Sequence, residues 1–136
     1  MKVVLDTNVI VSGLLHSFSS SGEIVRMVTS RDLQVCYDVR ILSEYKEVLR
    51  RPKFSFDAVD VYDLLAQIEF CGFTVTAIPL TKRLPDPDDE AFLEVALAGK
   101  AKVLVTGNLK HYPANKRQGM LVVSPTEFLE VYRKQK

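Results

Sequence analysis

Val3-Val4-Leu5-Asp6-Thr7-Asn8 sets three apolar residues, two of them β-branched, directly before an acid and two short polar side chains. An apolar run without polar alternation suits a strand covered on both faces, the kind that builds parallel sheets. Asp6 then stands where that strand ends. Downstream, Glu23 to Ser30 places Ile24, Met27 and Val28 on one helical stripe, after a polar loop over Ser17–Gly22. Leu33 to Tyr37 reads as a second strand. Ile41 to Arg51 returns to helical spacing until Pro52 stops it, and Phe56 to Cys71 carries a further helix.

Phe73 to Ile78 is β-branched and ends at Pro79, as an edge strand would. Asp89 to Ala98 is helical and stops at Gly99, and Lys102 to Val105 is a fourth strand. Met120 to Val123 is a fifth. Ser124-Pro125-Thr126-Glu127 has the order of a capping box with proline at the first helical position, opening a last helix to about Arg133. Alternating strands and helices predict an α/β fold: a three-layer α/β/α sandwich around a central, mostly parallel sheet of about five strands. Nothing in composition marks a linker, so residues 1–136 are expected to form one domain.

With 47% hydrophobic and 26% charged residues, the chain matches ordinary globular composition and is neither disordered nor fibrous. Eighteen basic side chains against seventeen acidic ones leave a formal charge of +1, so any attraction for a polyanion must be local. No apolar run is long enough to span a membrane. The amino terminus reaches Asp6 after three apolar residues, too soon for a secretion signal, and a cytoplasmic location is expected. Cys36 and Cys71 lack the spacing of a disulfide framework or a zinc site and read as small buried hydrophobes.

Ligands of open α/β sheets bind outside the carboxyl ends of the strands, where strand order reverses. Asp6 follows strand one and Asn108 follows strand four, which become neighbours if the chain reverses in its middle. Asp86, Asp88, Asp89 and Glu90 crowd the start of the fourth predicted helix, and Glu44 lies on the helix after strand two. Carboxylates gathered together repel one another unless a cation sits among them. Carboxylate, amide and water oxygens suit Mg2+ or Mn2+, whereas zinc wants His or Cys. Neither His16 nor His111 has a partner at ligand spacing in the sequence. With no Ser-His pair and no glycine-rich phosphate loop, the expected chemistry is attack by a metal-activated water on a phosphodiester.

Val4-Leu5-Asp6-Thr7-Asn8-Val9, Ser43-Glu44-Tyr45, Asp86-Pro87-Asp88-Asp89 running into Phe92-Leu93 and Ala96, and Val105-Thr106-Gly107-Asn108 together resemble the PIN domain (PilT N-terminus-like) family. The likeness is nearest to its branch of toxin components of toxin-antitoxin pairs and spans nearly the whole chain. It implies a Mg2+- or Mn2+-dependent endoribonuclease, usually a homodimer, held inactive by an antitoxin protein. Carried over by residue, Asp6, Glu44 and Asp89 are its metal-site acids, and Thr7, Asn8, Ser12 and Thr106 are the polar positions around them. Asn108 stands where many members have aspartate, and Asp86 is placed to compensate for the lost charge.

Plainer roles compete for each residue. Asp6-Thr7-Asn8 and Asn108 also suit turns, Asp88 or Asp89 an N-cap, and Glu44 an exposed helix position. The basic runs at Arg50-Arg51-Pro52-Lys53 and around Lys110 suit solvated helix ends, with Lys53 and Lys110 the candidates for RNA phosphates. A catalytically weak module that binds an antitoxin, RNA or a protein is the rival function. An aspartyl-phosphate phosphatase using Asp6 is disfavoured because position 8 is Asn, not an acid. Helices Ile41–Arg51 and Phe56–Cys71 are the expected dimer seam.

Overall fold

The computed structural model describes residues 1–135. Five strands, β1 (Lys2–Leu5), β2 (Gln34–Tyr37), β3 (Phe73–Thr74), β4 (Val103–Val105) and β5 (Val122–Val123), form one sheet in the order β3-β2-β1-β4-β5. Every pairing is parallel. The order reverses between β1 and β4, as the placing of Asp6 and Asn108 requires. Val3, Val4 and Leu5 are all solvent-free, and so are Val103, Leu104 and Val105. Successive side chains point to opposite faces, so both faces of the central strands are covered by helix. The register pairs Leu5 with Val105, and the ladder runs one residue further, with Asp6 N–H donating to Val105 O at 2.9 Å.

The helices are α1 (Thr7–Leu15), α2 (Ser20–Thr29), α3 (Val39–Leu49), α4 (Ala58–Cys71), α5 (Glu90–Ala98) and α6 (Pro125–Lys134). Short polar side chains start most of them, as helix N-termini require. Asp38 accepts from Ile41 N–H, Asp57 from Val59 and Asp60 N–H, and Ser124 and Glu127 form the full capping box. α5 lies across β1, β2 and β4, α6 along β4 and β5, and α1 packs on α2.

Three expectations need correction. α1 is not foreseen by apolar spacing, because Val9-Ile10-Val11 is β-branched and has weak helical preference. Tertiary packing forms it: a Cβ on Gly13 would lie 2.6 Å from Ser21 O, so glycine lets α1 and α2 approach. Ser20 to Gly22, expected in a loop, belong to α2, because Ser19 caps the helix by accepting from Gly22 N–H at 3.1 Å. The third strand pairs at the edge, as proline after it suggests, but only Phe73 and Thr74 join the sheet. The fifth is likewise reduced to two residues. Cys36 is buried and Cys71 half-buried, both free thiols. Among the described residues no helix is long and apolar enough to cross a membrane.

Candidate metal centre

Because Leu5 and Val105 are paired, the next residues of each strand, Asp6 and Thr106, stand side by side. The Thr106 hydroxyl donates to Asp6 Oδ2 at 3.0 Å and the Tyr112 hydroxyl donates to the same oxygen at 3.0 Å. Thr106 Oγ1 also accepts from Asn108 N–H at 3.0 Å, and Asn8 Oδ1 accepts from Gly107 N–H at 2.9 Å. The loop after β4 is thereby stitched to the start of α1. Despite these donors and the N–H groups of Thr7 and Asn8, burial raises the Asp6 carboxyl above its ordinary value.

α3 begins directly after β2, which brings its first two turns to the same sheet edge. Tyr45, fully buried, donates to Leu5 O at 2.5 Å and anchors the helix to the end of β1. Glu44 beside it accepts from the Thr7 hydroxyl. It is therefore not an ordinary exposed helix residue: partial burial, with Asp6 and Asp88 adding to it, raises its carboxyl.

The acids at 86–90 divide their roles. Asp89 stands at the N-cap position of α5, as expected of Asp88 or Asp89, but its side chain makes no capping bond; the capping carboxylate is Asp86, whose Oδ1 accepts from Asp88 N–H at 2.9 Å and opens a single 3-10 turn, Pro87–Asp89, ahead of α5. Glu90 is structural, accepting from Arg83 Nε at 2.8 Å and Leu84 N–H at 3.0 Å. Asp89 is 8% exposed and lies within reach of Asp86 and His111. Burial first, then Asp6, raises its carboxyl to about 6, while His111 opposes the shift.

Two neighbours are missed by the sequence argument. Tyr112 gives no local signal. His111, which lacked a partner by spacing, lies with Nδ1 2.9 Å from Asp89 Oδ2 and Nε2 2.8 Å from Asn108 Nδ2. The three-residue step from Asn108 to His111 was the available clue, since side chains at i and i+3 eclipse in a 3-10 turn and Leu109–His111 is one. His111 thus joins Asp86 and Asp89 through the fold, although sequence spacing gives it no partner. Ligand atoms of Asp86, Asp89 and His111 all lie within 4.8 Å of one another.

Asp89 Oδ2 accepts no hydrogen bond of good geometry, although His111 Nδ1 stands 2.9 Å from it. A buried, donorless carboxylate oxygen among carboxyls raised by burial and mutual repulsion fits an oxygen-preferring divalent cation. The ligand atoms that the fold gathers closely enough to share such an ion are those of Asp86, Asp89 and His111, while Asp6 lies near enough to raise the Asp89 carboxyl and Glu44 near enough to feel Asp6.

The other expected residues sit further out. Ser12 lines a mainly apolar groove of about 390 Å3 with Thr7, Asn8, Leu15 and Phe54. Lys53 lies at the rim of that groove with Nζ 5.1 Å from the Phe54 ring centroid, and Lys110 is exposed on the turn that carries His111. Neither lysine is brought onto the acids.

No curated protein matches the chain. The model of the PIN domain, a nuclease-type fold whose members typically use divalent metals, matches residues 2–110, a span that contains every acid of the cleft. The all-parallel sheet, its reversal at β1 and β4 and the matched span together establish that this chain belongs to the PIN domain family.

Proposed function

We propose that the protein is a divalent-metal-dependent endoribonuclease that hydrolyses phosphodiester bonds of single-stranded RNA, as the cytoplasmic toxin of a toxin-antitoxin pair. The observation that supports this reading is the buried Asp89 Oδ2, which makes no hydrogen bond and lies in a group with Asp86 and His111 close enough to share an ion. Asp6, Glu44 and Asp89 would hold Mg2+ or Mn2+, with Asp86 and Asn108 assisting. When bound, such an ion supplies Lewis acidity and offsets the charge that develops on the phosphate oxygens.

The chain's own residues prepare that chemistry. Thr106 and Tyr112 fix one Asp6 oxygen, and Thr7 fixes one Glu44 oxygen, so the acids do not reorient when substrate arrives. The groove lined by Asn8, Ser12 and Phe54 adjoins the acids and offers a path for an unpaired strand, with Lys53 and Lys110 the candidates to contact its phosphates. Exposed Val59, Tyr62 and Phe70 on α4 support a homodimer seam or an antitoxin contact there. A binding module is the second reading, favoured by one observation: Asn108 brings no charge where an acid is expected, and its amide is engaged by His111.

Cleavage of labelled single-stranded RNA by the purified protein in Mn2+, with Asp89→Asn beside it, tests the proposal. The wild type is expected to cut and the variant to be slower by about a thousandfold or more, the equivalent of several kcal/mol of transition-state stabilisation. Equal activity in both overturns the assignment of Asp89. No cleavage of RNA of varied sequence in either metal favours the binding module.

A further inference from the structure

We propose that His111 is itself a metal ligand, through Nδ1, and that Asn108 is the residue that positions it. The inference rests on the metal-dependent reading above and deepens it: a cation held at Asp89 has a nitrogen in its coordination sphere.

The first ground is the pairing of His111 with Asp89. Nδ1 and Oδ2 are 2.9 Å apart, yet they are not aligned as donor and acceptor, and the oxygen is left without a partner on a residue only 8% exposed. Two ligands at right angles around an octahedral cation with bonds near 2.0–2.1 Å are about 2.9 Å apart. The contact has the length of an edge between ligands. Asp86 completes a facing trio, one of its oxygens engaged by Asp88 N–H.

The second ground is Asn108. Imidazoles that bind metals donate their other ring N–H to an oxygen, which fixes the tautomer and the ring plane. The Asn108 amide lies 2.8 Å from Nε2. Its oxygen and nitrogen exchange places by a half-turn of the amide. With the oxygen toward the ring, Nε2–H is donated to Asn108 and the Nδ1 lone pair is free for the cation. The backbone of Asn108 is tied to Thr106, whose hydroxyl is tied to Asp6. A continuous set of contacts therefore links Asp6 to Asp89 through Thr106, Asn108 and His111. In this arrangement asparagine at 108 does what an aspartate ligand would not: it orients a nitrogen donor. A mixed nitrogen and oxygen set favours Mn2+ over Mg2+.

Electron spin echo spectroscopy of Mn2+ bound to the full chain, which detects a coordinated imidazole nitrogen, tests this. Wild type is expected to show the nitrogen modulation. His111→Asp, which keeps an oxygen ligand at a side chain 41% exposed, should bind Mn2+ without it. Asn108→Ala should weaken Mn2+ binding about tenfold to a hundredfold with an unchanged melting temperature for the metal-free protein. Bound Mn2+ without nitrogen modulation in the wild type, or modulation that survives in His111→Asp, overturns the ligand assignment and leaves the metal-dependent reading standing. Unchanged affinity in Asn108→Ala overturns its positioning role. Failure of the wild type to bind Mn2+ at all overturns the metal-dependent reading itself.

Discussion

The two walls of the cleft are built on opposite principles. On the β1 and β4 wall, Asp6 is buried with two hydroxyl donors on one oxygen, and those donors are themselves held, Thr106 by its place after a solvent-free strand and Tyr112 by complete burial. On the α5 wall, Asp89 is buried almost as deeply and has no donor on Oδ2. Its neighbours Asp86 and Glu90 are engaged in capping and in tying down Leu84, so the vacancy is confined to one residue. Buried carboxylates that serve stability are paired, because an unpaired one costs several kcal/mol. On the α5 wall the group against Asp89 Oδ2 is the His111 ring, which makes no hydrogen bond to it, as the proposed cation site requires.

Breaking each wall in turn separates these roles. Asp89→Asn, which should lower RNA cleavage about a thousandfold, should leave the melting temperature of the metal-free protein equal or higher, since it removes a buried charge whose carboxyl burial and Asp6 raise more than His111 lowers it. Circular dichroism on the two proteins checks this, and a markedly lower melting temperature would count against the contrast. Tyr112→Phe attacks the other wall. It removes a donor from a buried carboxylate and should cost about 2 kcal/mol in denaturant unfolding, with cleavage reduced far less than by Asp89→Asn.

The contrast also has a pH signature. Asp89 is raised to about 6 from an ordinary 3.8. Between those values the metal-free native state holds a proton that the unfolded chain has released, so stability contributed by the neutral acid falls as pH rises through this window. Asp6 and Glu44 shift in the same direction. The difference in melting temperature between Asp89→Asn and wild type should therefore widen in favour of the variant from about pH 4 to about pH 6 and level off above. A flat difference would show that Asp89 carries no unfavourable charge. The smallest effects belong to the rim. Lys53→Ala and Lys110→Ala should each weaken RNA binding a few-fold and reduce the slope of log affinity against log salt by about 0.7, which fluorescence anisotropy at several salt concentrations would resolve.

What the sequence disclosed follows the same division. The Asp6 wall was legible because it is local: an apolar strand that ends at an acid, and another that ends at Thr106, need only the reversal of strand order to meet. The capping box at Ser124 and the proline after the edge strand were equally local signals. α1 was hidden because its β-branched residues are helical only through packing on α2, with Gly13 at the crossing. On the α5 wall the acids were visible as a cluster, but their division into a cap, a tie to Arg83 and one unpaired carboxylate depends on contacts across the fold. His111 and Tyr112 were hidden for that reason. Each reaches an acid far away in the chain, and no spacing rule connects them.

Thermal unfolding at pH 7.5 with and without Mn2+, on wild type and Asp89→Asn, tests the central claim that the unpaired wall is built for a cation. The account predicts that Mn2+ well above its dissociation constant raises the wild-type melting temperature by about 5 °C or more and leaves the variant unmoved. An equal rise in both proteins, or none in the wild type, would contradict it.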